Sequence, residues 1–347
     1  MTVVSLSDTM ALLQDLLHLT NVDSPLLRGW LPPFGITWAI QTAFAVPSIL
    51  GQSDLFYDFS ALLSFLSAIP LSVYLPYLRV EYAGSWTSAS QLLGAPFVGD
   101  GAGNPGMNWR QLVLSGAASI WGLRLGYHLF TRALRNGGDS RLEEMKKSPR
   151  TYLYCWIGQA TWITLTVLPV VAVNSIPAAA FDALPPTTTL TDYLGFALYL
   201  LGLSFEVIAD NQKARWTAEK KNKIHDEQFL TRGLWGRSRF PHYFGEVTLW
   251  TGVTTVAAGV LVKQPVCAAL GWSGGLFTHA FAVGLPYASP AFVAFLLLKV
   301  SGVAVSERKY DEKYGDREDY QQWKRNTPKF FPKIVGWFSQ CCRALTL

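Results

Sequence analysis

Long apolar runs are the feature that most constrains the fold of this chain. Half of its 347 residues are hydrophobic and 15% are charged, whereas a soluble domain usually carries about 25% charged residues. A run of about 20 apolar residues crosses the hydrocarbon core of a bilayer as a helix. Several such runs follow one another, so the sequence predicts an all-α fold, a polytopic membrane helix bundle of about seven transmembrane helices.

Prolines and loop-forming residues interrupt these runs. Residues 1–33 are predicted to form a short amphipathic helix that breaks at Pro32 and Pro33. Residues 81–108, rich in Gly, Ser, Pro and Asn, are predicted to be a loop. The predicted spans are 34–51, 57–80, 109–130, 151–176, 192–208, 243–262 and 281–305, the last of them kinked or split by Pro286 and Pro290.

Basic residues are concentrated in three segments. Six Lys or Arg residues lie in 132–150, eight in 213–239 and nine after Ser306. Two predicted spans separate each basic segment from the next, so all three fall on one side, which the positive-inside rule makes cytosolic. Nucleic-acid binding explains these segments poorly, because they adjoin spans and contain no nucleic-acid-binding motif. The four cysteines form neither a disulfide framework nor a metal-site pattern.

Two sets of polar residues border the apolar runs. Arg124 lies inside the third run, where a charge is costly and usually faces the bundle interior or a water-filled cavity. His128 and Arg132 follow at four-residue spacing and share its helix face. Glu206, Asp210 and Lys213 form a second polar stripe at the end of the fifth run. A solvated helix end is the alternative explanation for this stripe.

The densest polar set lies in residues 233–246, here called the arginine segment. Arg237 and Arg239 offer planar donor groups that suit phosphate. Pro241 is suited to the first turn of the next helix, whose N-terminus would add to anion binding. His242 and Glu246 lie one helical turn apart. The segment therefore predicts a site for an anionic cofactor on the cytosolic side.

The tail from Ser306 to Pro332 combines charges with Tyr, Trp and Phe residues. It predicts a short amphipathic helix and a turn that lie against the membrane. Its aromatic side chains either cover a cofactor or anchor the chain among lipid headgroups.

Three ordered motifs resemble the DUF1295 family, a membrane branch related to the C-terminal domain of steroid 5-alpha-reductase. They are WGLRLGYHLFTRALRNGGDSR at 121–141, FEVIADNQKARW at 205–216 and GLWGRSRFPHYFGEVTLW at 233–250. The family more often has Arg-His-Pro-Asn-Tyr in the last motif. Phe240 stands here at the position of the His, and His242 at that of the Asn.

The resemblance implies an integral membrane reductase that uses NADPH to reduce a carbon–carbon double bond in an enone or sterol-like substrate. It also implies that polar residues near the cytosolic ends of the last helices bind the dinucleotide. The implied cofactor-binding residues are Arg124, Asp210, Lys213, Arg237, Arg239, Tyr243, Tyr314 and Tyr320, and the expected catalytic residues are Glu246, His242 and Tyr127. Arg132, Asp139 and Arg141 also match the first family motif.

Reduction of an enone requires an acid that protonates the developing enolate. A tyrosine phenol supported by a carboxylate or histidine would serve. Tyr127, Tyr74 and Tyr77 are all candidates, and their spacing does not choose between them.

Two other functions fit the same residues. An Arg-x-Pro-x-Tyr sequence before a helix, followed by an acidic and aromatic tail, also resembles S-adenosylmethionine-dependent membrane methyltransferases of the isoprenylcysteine or phospholipid type. The tail at Glu307 and Arg308 lacks their usual consecutive acidic pair. A non-enzymatic scaffold or lipid-binding protein is the third possibility, although it leaves Arg124 and Glu246 at membrane depth unexplained.

The motifs also suggest how the chain is divided. We predict an N-terminal amphipathic segment (1–33), N-terminal membrane helices with a non-cytosolic loop (34–108), a steroid-5-alpha-reductase-like catalytic membrane domain (109–335) and a C-terminal tail (336–347). We expect a multi-pass protein of the endoplasmic reticulum membrane that acts in lipid metabolism, with the bilayer and a lipophilic small molecule as its partners.

Overall fold

The computed structural model describes residues 15, 17–81, 89–99, 106–136, 142–185, 187–272 and 274–333, and these ranges contain helices and no strand. The predicted residues Asp139 and Arg141, residues 1–14 and 16 of the predicted N-terminal segment and the segment 336–347 lie outside them. The α-helices are α1 (Pro25–Leu50), α2 (Tyr57–Glu81), α3 (Ala89–Val98), α4 (Trp109–Asn136), α5 (Pro149–Asn174), α6 (Ala178–Asp182), α7 (Leu190–Lys221), α8 (Pro241–Leu261), α9 (Gln264–Ala269), α10 (Leu276–Phe295), α11 (Val303–Tyr314) and α12 (Glu318–Asn326).

Six helical stretches within the described ranges are long and apolar enough to cross a membrane. The protein is therefore an integral, multi-pass membrane protein, and the prediction of about seven spans is confirmed to within one. The difference is α4, which at 28 residues is about 42 Å long and could cross a bilayer. Cationic residues such as Arg110 and Arg124 make it less apolar than the other six.

The first span begins at Pro25 and passes through Pro32 and Pro33, so the predicted break there was wrong. Pro32 has no N–H to donate to the carbonyl of Arg28, four residues earlier. The guanidinium of Arg79 donates to this carbonyl instead, at 2.8 Å. Such a replacement donor from a neighbouring helix allows proline to remain inside a membrane helix.

The backbone differs from the prediction in two other places. The predicted loop 81–108 contains the short helix α3. Helix α10 continues through Pro286 and Pro290, and the irregular backbone begins only at the π-helix Leu296–Val300. The last span is thus interrupted after its prolines, at the π-helix, and α11 begins as a separate helix at Val303.

The helices group into two compact units. The first comprises Met1–Tyr193 and Val253–Ser289, and the second comprises Leu194–Gly252 and Pro290–Leu347. The boundaries predicted at residues 34, 109 and 336 divide the sequence differently and stay predictions.

Buried polar side chains join the helices of the first unit. The amide of Gln159 on α5 donates to Gln41 Oε1 on α1 at 2.9 Å and to Ser60 Oγ on α2 at 3.1 Å. The amide of Asn174 donates to Ser72 Oγ at 2.8 Å. Small polar contacts of this kind hold membrane helices together where the surrounding lipid is as apolar as the side chains.

A buried ion pair also joins two helices of this unit. Arg110, at the start of α4, donates to both carboxylate oxygens of Asp192, at 3.0 and 2.7 Å. Only 4% of the Arg110 side chain and 1% of the Asp192 side chain are exposed. The N–H of Thr189 also donates to this carboxylate, at 2.7 Å. The pair therefore ties α4 to the first turn of α7.

In the second unit, α7 and α8 lie backbone to backbone. A Cβ atom on Gly245 would come within 2.6 Å of the Gly202 carbonyl oxygen and 2.7 Å of the Glu206 nitrogen. Only glycine permits so close an approach. With 32 residues, α7 is about 48 Å long and exceeds the hydrocarbon core, so its polar C-terminal end projects beyond the core.

Candidate functional site

A cavity of about 620 Å³, including the space at its mouth, lies in the second unit. The cavity is rich in aromatic side chains, to which Lys213, Arg239, His242 and Glu307 add ionisable groups. It is lined by Lys213, Trp216, Phe229, Leu230, Trp235, Arg239, Phe240, His242, Tyr243, Ser306, Glu307, Tyr310, Tyr320 and Trp323.

Hydrogen bonds to α7 position the arginine segment at this cavity. The segment opens with the 3₁₀ helix Gly233–Gly236. The N–H of Leu234 donates to Gln212 Oε1 at 2.9 Å. The indole N–H of Trp235 donates to the Ala209 carbonyl at 3.0 Å. Both acceptors belong to α7, so the polar end of that helix and the arginine segment form adjoining walls.

Residues 328–333, here called the terminal strap, bind along the arginine segment. Two backbone bonds join them, from Arg239 N–H to the Pro328 carbonyl at 2.9 Å and from Lys333 N–H to the Arg237 carbonyl at 3.0 Å. Ser238, which is fully buried, donates its hydroxyl to the Phe330 carbonyl at 2.8 Å. The strap therefore holds the backbone on either side of Arg239.

Arg239 forms an ion pair with Glu307, a residue of α11 that also lines the cavity. The second oxygen of Glu307 pairs with Lys329 Nζ at 2.7 Å, and Lys324 Nζ lies 4.0 Å from the carboxylate. Only 10% of the Arg239 side chain is exposed. Its Nε–H is buried, and no described residue accepts a hydrogen bond from it.

Aromatic rings hold His242 in a layered arrangement. The His242 ring stacks on Trp235 with centroids 5.1 Å apart. The Lys213 ammonium lies 5.0 Å from the Trp235 ring centroid, a cation–π distance. Tyr243 contacts His242 at 3.9 Å between centroids and stacks on Phe240 at 5.8 Å. The orientation of His242 is therefore set by its ring neighbours.

The tail helices supply a second aromatic wall. Phe229 packs against Tyr320 and Trp323, with each pair of ring centroids 5.4 Å apart. The Tyr320 hydroxyl donates to Asp311 Oδ1 at 2.7 Å. Burial, together with this carboxylate, raises the pKa of the Tyr320 phenol well above its usual range. The indole N–H of Trp323 is buried, and none of the described residues accepts a hydrogen bond from it.

The structure brings five of the predicted site residues together around the cavity: Lys213, Arg239, His242, Tyr243 and Tyr320. Asp210, Arg237 and Glu246 belong to the same unit but do not line it. The buried Tyr314 also lies outside the lining, and its hydroxyl donates to the Gln228 carbonyl at 3.0 Å. The chemical roles predicted for all these residues stay predictions.

Two predicted residues, Arg124 and Tyr127, belong to the first unit. Arg124 is half-buried on α4, and 69% of Tyr127 is exposed. The alternative proton donors Tyr74 and Tyr77 also lie in this unit, with Tyr77 buried and the Tyr74 hydroxyl bonded to the Leu93 carbonyl at 3.1 Å.

The cavity also contains residues that the sequence did not single out as site residues. Trp235 lies within the family motif at 233–250. Its contacts with the predicted site residues Lys213 and His242 are visible only in three dimensions. Glu307 and Trp323 lie in a charged amphipathic tail, where an acid or an indole looks like an ordinary surface or interfacial group. No sequence signal distinguishes them from their neighbours.

Comparison with protein families places these residues in a known group. The model of the family "Protein of unknown function (DUF1295)" matches residues 85–327. The chain belongs to the DUF1295 family. This confirms the resemblance that the three motifs indicated, and every lining residue falls within the matched range. Neither the curated proteins nor the solved structures that were compared with the chain gave a match.

Proposed function

We propose that this DUF1295 protein is an integral membrane oxidoreductase that uses NADPH to reduce a carbon–carbon double bond in a lipophilic, enone or sterol-like substrate. The observation that carries the proposal is a cationic cavity with aromatic walls, built at the polar ends of two membrane helices. The cofactor would bind in this cavity, next to a membrane that dissolves the substrate.

The charge around the cavity suits a polyanion. Lys213 and Arg239 line it, and Lys324 and Lys329 lie behind Glu307. Glu307 and Asp311 are the carboxylates that Arg239, Lys324, Lys329 and Tyr320 contact. Four cations against two carboxylates leave a positive balance, which attracts phosphate groups and repels a cationic ligand.

The unpaired donors support the same conclusion. Buried N–H groups nearly always have an acceptor, yet Arg239 Nε and Trp323 Nε1 find none among the described residues. Phosphate oxygens and ring carbonyls are acceptors that would satisfy them. Flat aromatic walls such as Trp216 and Trp323 suit the rings of a dinucleotide. The residues present therefore fit a nicotinamide dinucleotide phosphate.

The protein's part in the reaction follows from these positions. A nicotinamide cofactor supplies a hydride when it is bound. In this proposal Lys213 and Arg239 hold phosphate groups, and the aromatic side chains that line the cavity keep water from the reacting rings. His242, which packs against Trp235 and Tyr243, is the residue that we propose holds a proton at one of its ring nitrogens.

One observation favours the methyltransferase alternative. Glu307 brings a carboxylate to a cavity with aromatic walls, and such walls attract cations. The sulfonium of S-adenosylmethionine is a cation of suitable size. The four surrounding cations oppose this binding, and for that reason the reductase is our first choice.

Ligand titration tests the proposal. The purified full-length protein in detergent is titrated with NADPH and, separately, with S-adenosylmethionine while its unfolding temperature is measured. We expect stabilisation by NADPH. Stabilisation by S-adenosylmethionine alone would contradict the reductase, and stabilisation by neither would favour the non-enzymatic scaffold.

The variant Glu307→Gln separates the two ligands by the sign of its effect. Glutamine keeps an oxygen that can accept from Arg239 but removes the negative charge. NADPH should bind about threefold to fivefold more tightly, about 0.6–1 kcal/mol, because one repulsive charge is lost. S-adenosylmethionine should bind less tightly in the same variant. A weaker affinity for NADPH would show that the carboxylate itself contacts the ligand.

A further inference from the structure

The terminal strap and the part of α12 that precedes it, after the acidic first turn of that helix, carry positive charge. Residues 320–333 contain Lys324, Arg325, Lys329 and Lys333 and no Asp or Glu. Lys324 pairs with Asp311 at 2.6 Å, and Lys329 pairs with Glu307 at 2.7 Å. Arg325 and Lys333 are exposed, and no described residue forms an ion pair with either side chain.

The strap also presents an exposed aromatic side chain. Phe331 is 71% exposed, although its ring lies 5.1 Å from Phe330 and 6.0 Å from Phe244. Phe244 belongs to the first turn of α8, one of the membrane-crossing helices. Phe244 in turn packs against Phe205 on the span α7, at 5.4 Å. The strap therefore lies at the level where two spans leave the hydrocarbon.

An exposed phenylalanine at this level, with lysine and arginine close to it in the sequence, has a physical explanation. The ring is stabilised in the headgroup and acyl-chain boundary, while the cations bind negatively charged headgroups. A soluble anion would explain the cations but not the exposed ring. We therefore propose that Phe331, Arg325 and Lys333 form a site for anionic phospholipids of the adjoining leaflet. The proposal does not depend on the reaction that the protein catalyses.

The full-length protein is tested in nanodiscs of phosphatidylcholine alone and in nanodiscs with about 30% phosphatidylserine, an anionic surface of the kind that polybasic segments bind. Amide hydrogen exchange is measured for peptides that cover residues 324–333. Each lysine or arginine near an anionic surface strengthens binding about fivefold. We expect phosphatidylserine to slow exchange of these peptides at least about fivefold in the wild type.

Two variants with equal loss of charge locate the effect. Arg325→Gln with Lys333→Gln removes the two unpaired cations but leaves the ion pairs of Lys324 and Lys329 in place. This variant should lose the response to phosphatidylserine. Lys221→Gln with Lys223→Gln removes the same charge from another exposed basic segment and should keep the response in peptides 324–333.

Three results would overturn the proposal. The first is an exchange rate in the wild type that is the same in both kinds of nanodisc. The second is a full response in the Arg325 and Lys333 variant. The third is equal protection by inorganic phosphate in phosphatidylcholine nanodiscs, because the strap would then bind a free anion rather than a lipid.

Discussion

The two compact units each contain a largely buried arginine–carboxylate pair, and the pairs differ in their surroundings. Arg110 and Asp192 satisfy each other with two hydrogen bonds and line neither of the two cavities described for the chain. Arg239 and Glu307 line a cavity, and no described residue accepts a hydrogen bond from the Nε–H of Arg239. A buried charge in a membrane helix bundle is therefore not by itself a sign of a functional site. An unsatisfied donor beside a cavity is a better one.

Removal of Arg110 should have the largest effect on stability. Arg110→Ala leaves the Asp192 carboxylate buried without its counter-ion, which typically costs about 3–5 kcal/mol. The unfolding temperature in detergent should fall on the order of 5–10 °C, while NADPH affinity in the unit that holds Arg239 stays unchanged. As a control, Arg110→Met with Asp192→Leu should recover most of the stability. If Arg110→Ala lowers the free energy of NADPH binding by as much as the free energy of unfolding, the pair Arg110–Asp192 does not differ in role from the pair Arg239–Glu307.

Removal of Arg239 should instead act mainly on binding. Arg239→Ala loses hydrogen bonds to a charged group, each of which contributes about 1.5–3 kcal/mol. NADPH should therefore bind at least about tenfold more weakly in an equilibrium titration. Arg215→Ala is the matched control, because Arg215 belongs to the same unit, is 84% exposed and does not line the cavity. Equal losses in both variants would show that general charge, and not the position of Arg239, determines binding.

The strap should contribute a smaller effect through Ser238. Ser238→Ala removes the hydroxyl that donates to the Phe330 carbonyl, a contribution of about 0.5–1.5 kcal/mol. We expect NADPH affinity to fall about twofold to tenfold, because the backbone beside Arg239 is held less firmly. Thr248→Ala removes a hydroxyl that bonds only within α8 and should leave affinity unchanged. If Ser238→Ala lowers the unfolding temperature without any change in affinity, the strap supports the fold and not the cavity.

The smallest expected effect concerns Tyr320. Tyr320→Phe loses the hydrogen bond to the Asp311 carboxylate. Because 41% of the Asp311 side chain is exposed, solvent weakens this bond, and the free energy of unfolding should fall by about 0.5–1.5 kcal/mol. Because the phenol's pKa is raised in the folded state, the stability that the hydroxyl contributes is complete below about pH 10, its unfolded value. It is lost as the pH rises above that value. Unfolding of both proteins between pH 7 and pH 11 measures the difference, and a difference that grows with pH would have the wrong sign.

The membrane-spanning character of the chain was predictable from composition and run length alone. Apolar runs of about 20 residues must be helices in a bilayer, because no water is present to satisfy the backbone. The details were less predictable where a neighbour intervenes. Pro32 looks like a helix break in the sequence, but Arg79, 47 residues later, supplies the missing donor. Family membership was also predictable, because the three motifs are contiguous in the sequence.

The candidate site was predictable in part. Arg239, His242 and Lys213 stand out in the sequence because charged or polar groups beside a membrane span are costly. Glu307 does not stand out, since its partners Arg239 and Lys329 are brought to it only by the packing of α11 and the strap.

The sequence by itself determined that the chain crosses the membrane, which family it belongs to and which charged residues adjoin its spans. Hydrophobicity and local motifs depend on neighbours in the chain, so they can be read without coordinates. Only the tertiary structure decided which of those charges share a cavity. It also decided that Arg110 is fully paired with Asp192, whereas Arg239 lines a cavity. These properties depend on contacts between residues far apart in the sequence, and such contacts leave no local pattern.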